Sequence, residues 1–587
     1  MTNDDILERR RAANEQQRRV VEASAPLFVE ACPGAGKTRT IVDRHLTKAV
    51  SDRPGRALVS FTRASSAELR RRCQLKGRPE LAEFPHFIGT IDRFLWQYLV
   101  RPALLPNRRW ERIDSWDRIN ARVNDRWHLS DFVFRRDPDE NQCRVELRQT
   151  DRNRADYVDF RDNGRITAVE DAALARRDEL VMQGYITGHE LRVWALYSAR
   201  TDADQLKTTL RARFDELIVD EAQDCSLTDL AILEELRRAG LPLVLVGDLD
   251  QAIYEFRDAR PDQVRQFGVQ LGKTLHLTGN WRSSPAICAL AHTLRQDTTG
   301  RPDDAVGDRH DDLAPVLLLP SRKNQIAAAY QQFHAHATSL GIARSEQLVV
   351  AHAGRRLPGP ARVRLSGGDL SSSKQLAWAA AMIEDRAAPQ PQVEDAFAVF
   401  ERALLRVWCP ATDDQSIDAL CESHRVDRTG LRQLVRSLRL PSLDGRTFTQ
   451  WCADANRLLA GNPPSDHMTR SRKGRLVAGP DGSKQARKVV GTQPASAITG
   501  GTRGAVIHQV KGDEADAVLL IVPEDIHTAG LVDAWIRGDA ANNEGLRVLY
   551  VAATRARRLL AISIPEDHHG SLAQHLASRG VPLNRFS

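Results

Sequence analysis

The sequence predicts an α/β protein whose parallel strands form two lobes, each interrupted by an inserted subdomain. Short apolar runs that read as buried parallel strands, among them Ala57–Phe61, Phe214–Asp220, Leu241–Gly247 and Ala517–Val522, are followed by helical patterns. This alternation breaks down twice, first in charged, Trp-bearing sequence and later in a mostly helical stretch. Near the start, Val29-Glu-Ala-Cys-Pro-Gly-Ala-Gly-Lys-Thr38 turns an apolar run into glycines and ends on a lysine and a threonine. That order suits a strand-to-helix loop that cradles phosphate.

At 587 residues the chain can hold about four units of roughly 150 residues each. The pattern divides it into a first lobe at 1–101 and 186–272, with 102–185 inserted, and a second at 273–361 and 501–587, with 362–500 inserted. A formal charge of +7 and a pI near 9.0 suit a polyanionic partner without demonstrating one. The eight cysteines show no paired CxxC spacing, which excludes a zinc-ribbon pattern and predicts reduced thiols in a cytoplasm. No apolar run approaches the length that spans a bilayer, and the first residues lack a signal-peptide core, so no membrane association is expected.

Taken in order, Asn14–Val21 reads as a helix on which Gln17 either meets the edge of an adenine or is an ordinary exposed glutamine. In the glycine loop, Gly34 and Gly36 allow backbone turns closed to other residues, so that N–H groups can face phosphate oxygens. Lys37 adds a point charge, Thr38 can ligate magnesium, and a helix expected from about Lys37 offers its positive end to the same anion. Ala31 occupies the place where the GxxxxGK[ST] pattern has its first glycine. After Ala57–Phe61, the start of the next helix suits either a base on Phe61 with phosphates near Arg63, or a core phenylalanine and a solvated helix face. Gly89-Thr90 opens a helix containing Trp96 and Tyr98.

Within the first insertion, Cys143–Thr150 and Tyr157–Arg161 are expected to pair as strands around Asp151-Arg-Asn-Arg. Phe214–Asp220 then runs into Glu221-Ala-Gln-Asp224. Acids at the end of a buried strand are costly unless they hold a cation or a proton relay. Asp220 is therefore placed for magnesium and Glu221 for the attacking water. Asp248-Leu-Asp-Gln251 follows the next strand, with Tyr254 and Phe256 offering faces to nucleobases, and Trp281 and Arg282 stand side by side at a further strand-to-helix junction. Strands are expected at Val316–Leu319 and Gln347–Ala351 around a helix at Asn324–Ser339. In the run Asn462–Thr492, with Arg470, Arg472, Lys473, Arg475, Lys484, Arg487 and Lys488, a disordered tether and a nucleic-acid contact are equally open. The strand Arg558–Ile564 is expected to be the last, with no room after it for a nuclease domain.

The order of the glycine loop, Phe61-Thr62, Asp220-Glu-Ala-Gln-Asp224, Gly247-Asp to Tyr254-Glu-Phe-Arg257, Asn280-Trp-Arg-Ser283, His508-x-x-Lys-Gly-x-Glu514 and Tyr550-Val-Ala-Ala-Thr-Arg-Ala556 resembles the UvrD/Rep-like branch of superfamily-one DNA helicases. The resemblance implies two RecA-like lobes of a P-loop NTPase, with ATP in the cleft between them and single-stranded DNA across their tops. It implies a nucleotide site of Gln17, Pro33, Gly34, Ala35, Gly36, Lys37, Thr38, Arg39, Trp281 and Glu514, with Mg2+ on Thr38 and Asp220. Glu221 and Lys37 would serve catalysis, with Gln251, Arg282 and Arg555 sensing the γ-phosphate. Phe61, Thr62, Arg63, Thr90, Tyr254, Phe256, Arg257 and His508 would face DNA.

The implied activity is ATP-driven translocation, 3′ to 5′ by the family's habit, acting on single strands and duplex junctions. Asp92, Leu249 and Asp513 depart from the family's usual histidine, acid or proline, and leucine. The Tyr-Glu-Phe-Arg and Lys-Gly-Asp-Glu variants also look like helicase-like proteins of phage-defence systems such as Gabija, which work beside a nuclease, so a nuclease partner is a further expectation.

Overall fold

In the computed structural model, a predicted alternation of strand and helix becomes two six-stranded parallel sheets. The structure describes residues 3–47, 54–104, 110–113, 115–116, 119–136, 138, 143–149, 154–201, 203–253, 260–321, 326–352, 356–358, 372–385, 388, 390–408, 417, 421, 424–465, 468, 475–490, 502–522, 526–541 and 543–585. Tyr254, Phe256 and Arg257, and Arg470, Arg472 and Lys473 of the basic run, lie outside these residues, as does the side chain of Arg63.

The first sheet runs Thr274–Leu277, Leu27–Ala31, Leu243–Gly247, Phe214–Asp220, Gly55–Ser60, Phe87–Thr90. Every neighbouring pair is parallel. Because alternate side chains leave opposite faces of a strand, Ala57 and Val59 enter one core with Leu217 and Val219, while Leu58 enters another with Val29 and Ile218. Both faces are covered by helices, which is why these strands read as unbroken apolar runs.

The second sheet runs Arg503–Val506, Gln347–Ala351, Ala515–Ile521, Ala556–Pro565, Val316–Ser321, Leu583–Arg585, again all parallel. The expected final strand is thus followed by Leu583–Arg585. The sequence division at 273 also needs correction. Thr274–Leu277 is the edge strand of the first sheet, pairing with Leu27–Ala31, and the crossing to the second lobe comes after it. Thr278 alone separates it from the short strand Gly279–Asn280. It is held in place by Gln16, which accepts from the Thr278 N–H at 3.0 Å and donates to its hydroxyl at 3.0 Å.

Each sheet is interrupted by a segment with its own apolar core. Between Thr90 and Phe214, Trp116, Trp127, Phe132 and Leu147 gather into one cluster. The strand pair expected here is different in the structure. Cys143–Leu147 pairs antiparallel with Phe132–Arg136, and Tyr157–Arg161 lies inside the helix Arg154–Asp162. Helical geometry puts Tyr157 and Phe160 one turn apart, both packed on the subdomain core, and this outweighs their strand-like composition. Between Ala351 and Arg503, the helices Ser372–Glu384, Gln390–Trp408, Arg428–Ser437 and Phe448–Gly461 enclose Trp378, Phe400, Leu431 and Trp451. The described part of the basic run is ordered. Lys484 pairs with Asp481, and Arg487 pairs with Asp444 and Glu384 from the helix Ala486–Val490. No described helix is long and apolar enough to cross a membrane.

Candidate nucleotide site between the lobes

The loop after Leu27–Ala31 is built for close approach. Ala31 still belongs to the strand, paired with Leu277, so the position needs no glycine. Gly34 and Gly36 do, with φ of +70° and +78°. A Cβ on Gly34 would lie 2.5 Å from Asn280 Oδ1 and 2.7 Å from Arg282 Cβ. The loop therefore meets the entry to the second lobe backbone against backbone, and Trp281 N donates to Gly34 O at 2.9 Å. Gly36 then caps the helix Lys37–Leu46, whose unpaired N–H groups face outward at its start.

A cleft of about 1170 Å³ opens above this loop. From the first lobe it is lined by Gly34, Ala35, Gly36, Lys37, Thr38, Arg39, Asp220, Glu221 and Gln251, and from the second-lobe side by Trp281, Arg282, Lys511, Glu514 and Arg555. Gln17 and Pro33 are not among the lining residues. Gln17 sits behind the loop, buried, and donates from Nε2 to Ala35 O at 2.9 Å. The glutamine therefore braces the loop here through the amide group that the resemblance turns toward adenine.

The acids occupy distinct environments. Asp220 is 3% exposed at the end of its strand. Burial and then the neighbouring Glu221 raise its carboxyl to about 7, against the opposing pull of Lys37. Glu221 is held below the usual carboxylate range. Burial would raise it, but Lys37, Lys511 and the side-chain hydrogen bond from Gln223 outweigh that. Its backbone is left-handed, with φ 57° and ψ 42°, a conformation costing on the order of 1–3 kcal/mol for a residue with a Cβ. The two acids thus divide into a carboxyl that seeks a cation and one kept ionised.

Opposite them, Arg555 is 2% exposed and donates from Nη2 to Gln251 Oε1 at 3.0 Å. Burial and then Arg282 bring its guanidinium down to about 9, so an anion entering here would relieve it. Gln251 Nε2 in turn donates to Asp248 Oδ2 at 2.8 Å. Arg282 pairs with Glu514 at 2.8 Å and donates to Thr554 O. Glu514, also held by Arg557, stays below the usual range even though burial pushes it up. Lys511 bridges the lobes, its Nζ 2.6 Å from Asp224 Oδ1. The sequence marks the motif around Lys511 without its bridging role, and it gives no role to Asp248. The indole Nε1 of Trp281 is buried with no hydrogen-bond partner among the described residues.

The residues expected to face DNA are less concentrated. Phe61 and Thr62 line a second cavity of about 1080 Å³, between the first lobe and the inserted hairpin, shared with Asp92, Arg112, Arg144 and Arg192. Phe61 also packs partly on the first-lobe core, as the core-phenylalanine alternative expects. Thr62 and Thr90 cap the helices Arg63–Leu75 and Ile91–Leu95, accepting from Ser65 N and Arg93 N. Asp92 pairs with Arg192 at 3.1 Å and Arg112 at 3.8 Å. His508 lies in neither cavity's lining. It stands edge-on to His352 at 5.7 Å, and burial, followed by His352 and Lys511, lowers its pKa. Leu249 fills the first-lobe core, and Asp513 pairs with Arg503 at 3.0 Å.

Comparison with known proteins agrees with this geometry. Residues 13–271 match the UvrD/REP helicase N-terminal domain. The chain is 26% identical over 298 residues to DNA helicase II of Escherichia coli, covering 49% of this chain and 41% of that protein. It is 25% identical over 291 residues to the ATP-dependent DNA helicase PcrA of Leuconostoc citreum, covering 48% and 38%. A shorter match, 29% over 144 residues, is to an ATP-dependent helicase/nuclease subunit of Staphylococcus haemolyticus, covering 23% and 12%. The chain therefore spans about two-fifths of the length of the helicase II and PcrA relatives it matches. The glycine loop and the paired acids both lie within the matched residues, so this part of the chain is similar to the N-terminal domain of UvrD/REP helicases.

Proposed function

We propose that this protein is a DNA-stimulated ATPase that couples ATP hydrolysis to movement along single-stranded DNA, 3′ to 5′, and opens duplex junctions in the cytoplasm. The observation that carries this reading is the composition of the cleft, where a phosphate loop and two acids from one lobe face Arg282, Lys511 and Arg555 from the other.

The donor set fits a magnesium nucleotide. Asp220 is a buried carboxyl short of a cation, Arg555 a buried guanidinium short of an anion, and the Gly34 and Gly36 backbone leaves room no side chain could share. Thr38 and Asp220 would hold the metal, and the bound pair supplies an electrophilic γ-phosphorus beside a polarising cation. Glu221, kept ionised, accepts a proton from water at the oxygen Gln223 does not occupy. Arg282 and Arg555 bring positive charge from the second lobe, so full engagement requires cleft closure. Asp92 does not repel a polyanion, because Arg112 and Arg192 balance it. Phe61, with Tyr254 and Phe256, is assigned to base stacking and the surrounding arginines to phosphate. The direction rests on the family's habit.

The test is ATP turnover with and without single-stranded DNA. Lys37→Ala and Glu221→Gln are each expected to lower kcat by about 100-fold or more. Turnover that survives both changes rules out this site, and a rate indifferent to DNA rules out the motor. Tailed duplexes of both polarities read the direction, with displacement expected only from a 3′ tail.

A second reading is favoured by the resemblance to phage-defence proteins and by the likeness to a helicase/nuclease subunit. Here the protein is an ATP- and DNA-sensing component that licenses a nuclease. Co-purification with a nuclease, together with no strand displacement by the protein alone, would select it.

A further inference from the structure

The turn Leu249–Gln251 follows a strand of the first sheet, yet it is fastened to the second lobe on both flanks. On one side, Asp250 Oδ1 accepts from Gln296 N at 3.0 Å, and Gln296 Nε2 donates to Leu249 O at 3.2 Å. On the other, Ala252 O accepts from Arg547 Nε at 3.0 Å, and Ile253 is buried within the second-lobe core. Gln251 therefore rides on a turn gripped by the lobe that supplies Arg555.

At the centre of this joint lies Arg295, in the turn after the helix Pro285–His292. It pairs with Asp303 at 2.6 Å and Asp250 at 3.6 Å, and it donates from Nε and Nη2 to the Tyr550 hydroxyl, each at 3.3 Å. Tyr550 is fully buried, and its hydroxyl is 3.5 Å from Asp248 Oδ2, the same oxygen that receives Gln251 Nε2. Gln251 Oε1 then receives Arg555. A continuous path thus runs from Arg295 through Tyr550, Asp248 and Gln251 to Arg555. Arg295 is the guanidinium in contact with Asp250 and Asp303, two carboxyls that burial pushes up to about 6 each. Removing it would leave a crowded acidic pocket and a tyrosine without its donor.

We infer that Arg295 is a positioning residue for nucleotide hydrolysis, holding Tyr550 and Asp248 so that Gln251 and Arg555 meet the γ-phosphate in register across the cleft. The inference rests on the proposed ATPase activity. It predicts a loss in turnover rather than in nucleotide binding, because Arg295 is not among the residues lining the cleft, where the glycine loop lies.

The experiment compares wild type, Arg295→Gln, Arg295→Lys and Tyr550→Phe for DNA-stimulated ATP turnover, for affinity toward a fluorescent ADP analogue and for thermal midpoint. Arg295→Gln is expected to lower kcat by about tenfold or more, with KM for ATP and analogue affinity within about twofold of wild type. Arg295→Lys, which keeps the charge but loses the fork, should recover part of the rate. Tyr550→Phe removes the relaying hydroxyl without stranding a charge, and it should lower kcat in the same direction even if Arg295→Gln folds poorly. Wild-type kcat in folded Tyr550→Phe and Arg295→Gln overturns the inference alone, as does a fall in analogue affinity that accounts for the whole rate loss. Absence of turnover in the wild type overturns both the ATPase reading and this inference.

Discussion

His45 shows how much of a residue's behaviour is decided by its surroundings. It is fully buried on the helix behind the glycine loop, 2.8 Å by Nε2 from Leu81 O and edge-on to His86 at 4.9 Å. Burial, then the charges of its neighbours against the help of Leu81, lowers its pKa to about 4 from 6.5. The unfolded chain therefore takes up the proton first as pH falls. The stability this group contributes is complete above about 6.5 and is lost as pH falls toward 4. Between pH 7.5 and 5.0 the thermal midpoint of His45→Gln, which can still donate to Leu81, should fall less than that of the wild type. Equal falls would remove His45 as the cause. In the sequence His45 stands between Arg44 and Leu46 as one of 17 histidines, and nothing local marks it as buried. Lys37, Thr38, Asp220 and Glu221 are legible because a phosphate loop and a strand-end acid pair impose residue type and order together. Gln17 is legible as a motif, but its hold on Ala35 O depends on where the loop folds back.

At the scale of elements, caps and periodicity carry most of the information. The helix Leu227–Arg238 begins at Ser226, whose hydroxyl accepts from Asp229 N while Asp229 accepts from Ser226 N. Asp229 also holds Arg192 at 2.8 Å, so one carboxylate closes the helix and anchors the wall of the second cavity. Ser226→Ala should cost about 1 kcal/mol, seen as faster amide exchange in the first turn of that helix, with ATP turnover retained. Unchanged exchange there would show that Asp229 closes the helix unaided. The buried strands are legible because both faces of a parallel sheet must be apolar. The first insertion misleads at Tyr157–Arg161, where Tyr, Val and Phe within five residues have the composition of a strand while the i, i+3 spacing of the aromatics is that of a helix. Only the core formed with Trp127 and Phe132 decides between them. The edge strand Thr274–Leu277 falls to the wrong lobe for a related reason, because strand sequence does not say which sheet it joins.

For the whole molecule, what matters is how the two sheets are joined, and this is the least legible level. Lys511 and Asp224 are 287 positions apart, and no spacing rule connects them. Their bridge ties the two lobes at the cleft that Lys511 lines. Lys511→Ala should remove the ammonium that joins Asp224 to the second lobe and loosen that lobe, giving a larger radius of gyration in solution scattering without nucleotide and a weaker response of ATP turnover to DNA. A scattering profile identical to wild type would show that the bridge does not hold the lobes. The crossing itself has a mechanical meaning. Thr278 is clamped by Gln16, and Trp281 is tied to Gly34, so the first residues to leave the first sheet stay attached to it. Arg282 comes immediately afterwards and donates to Thr554 O, so the tethered crossing is joined to the helix end that carries Arg555. Any shift of this crossing is therefore felt at Arg282 and Arg555 together, and the two cations answer to the first sheet as one unit.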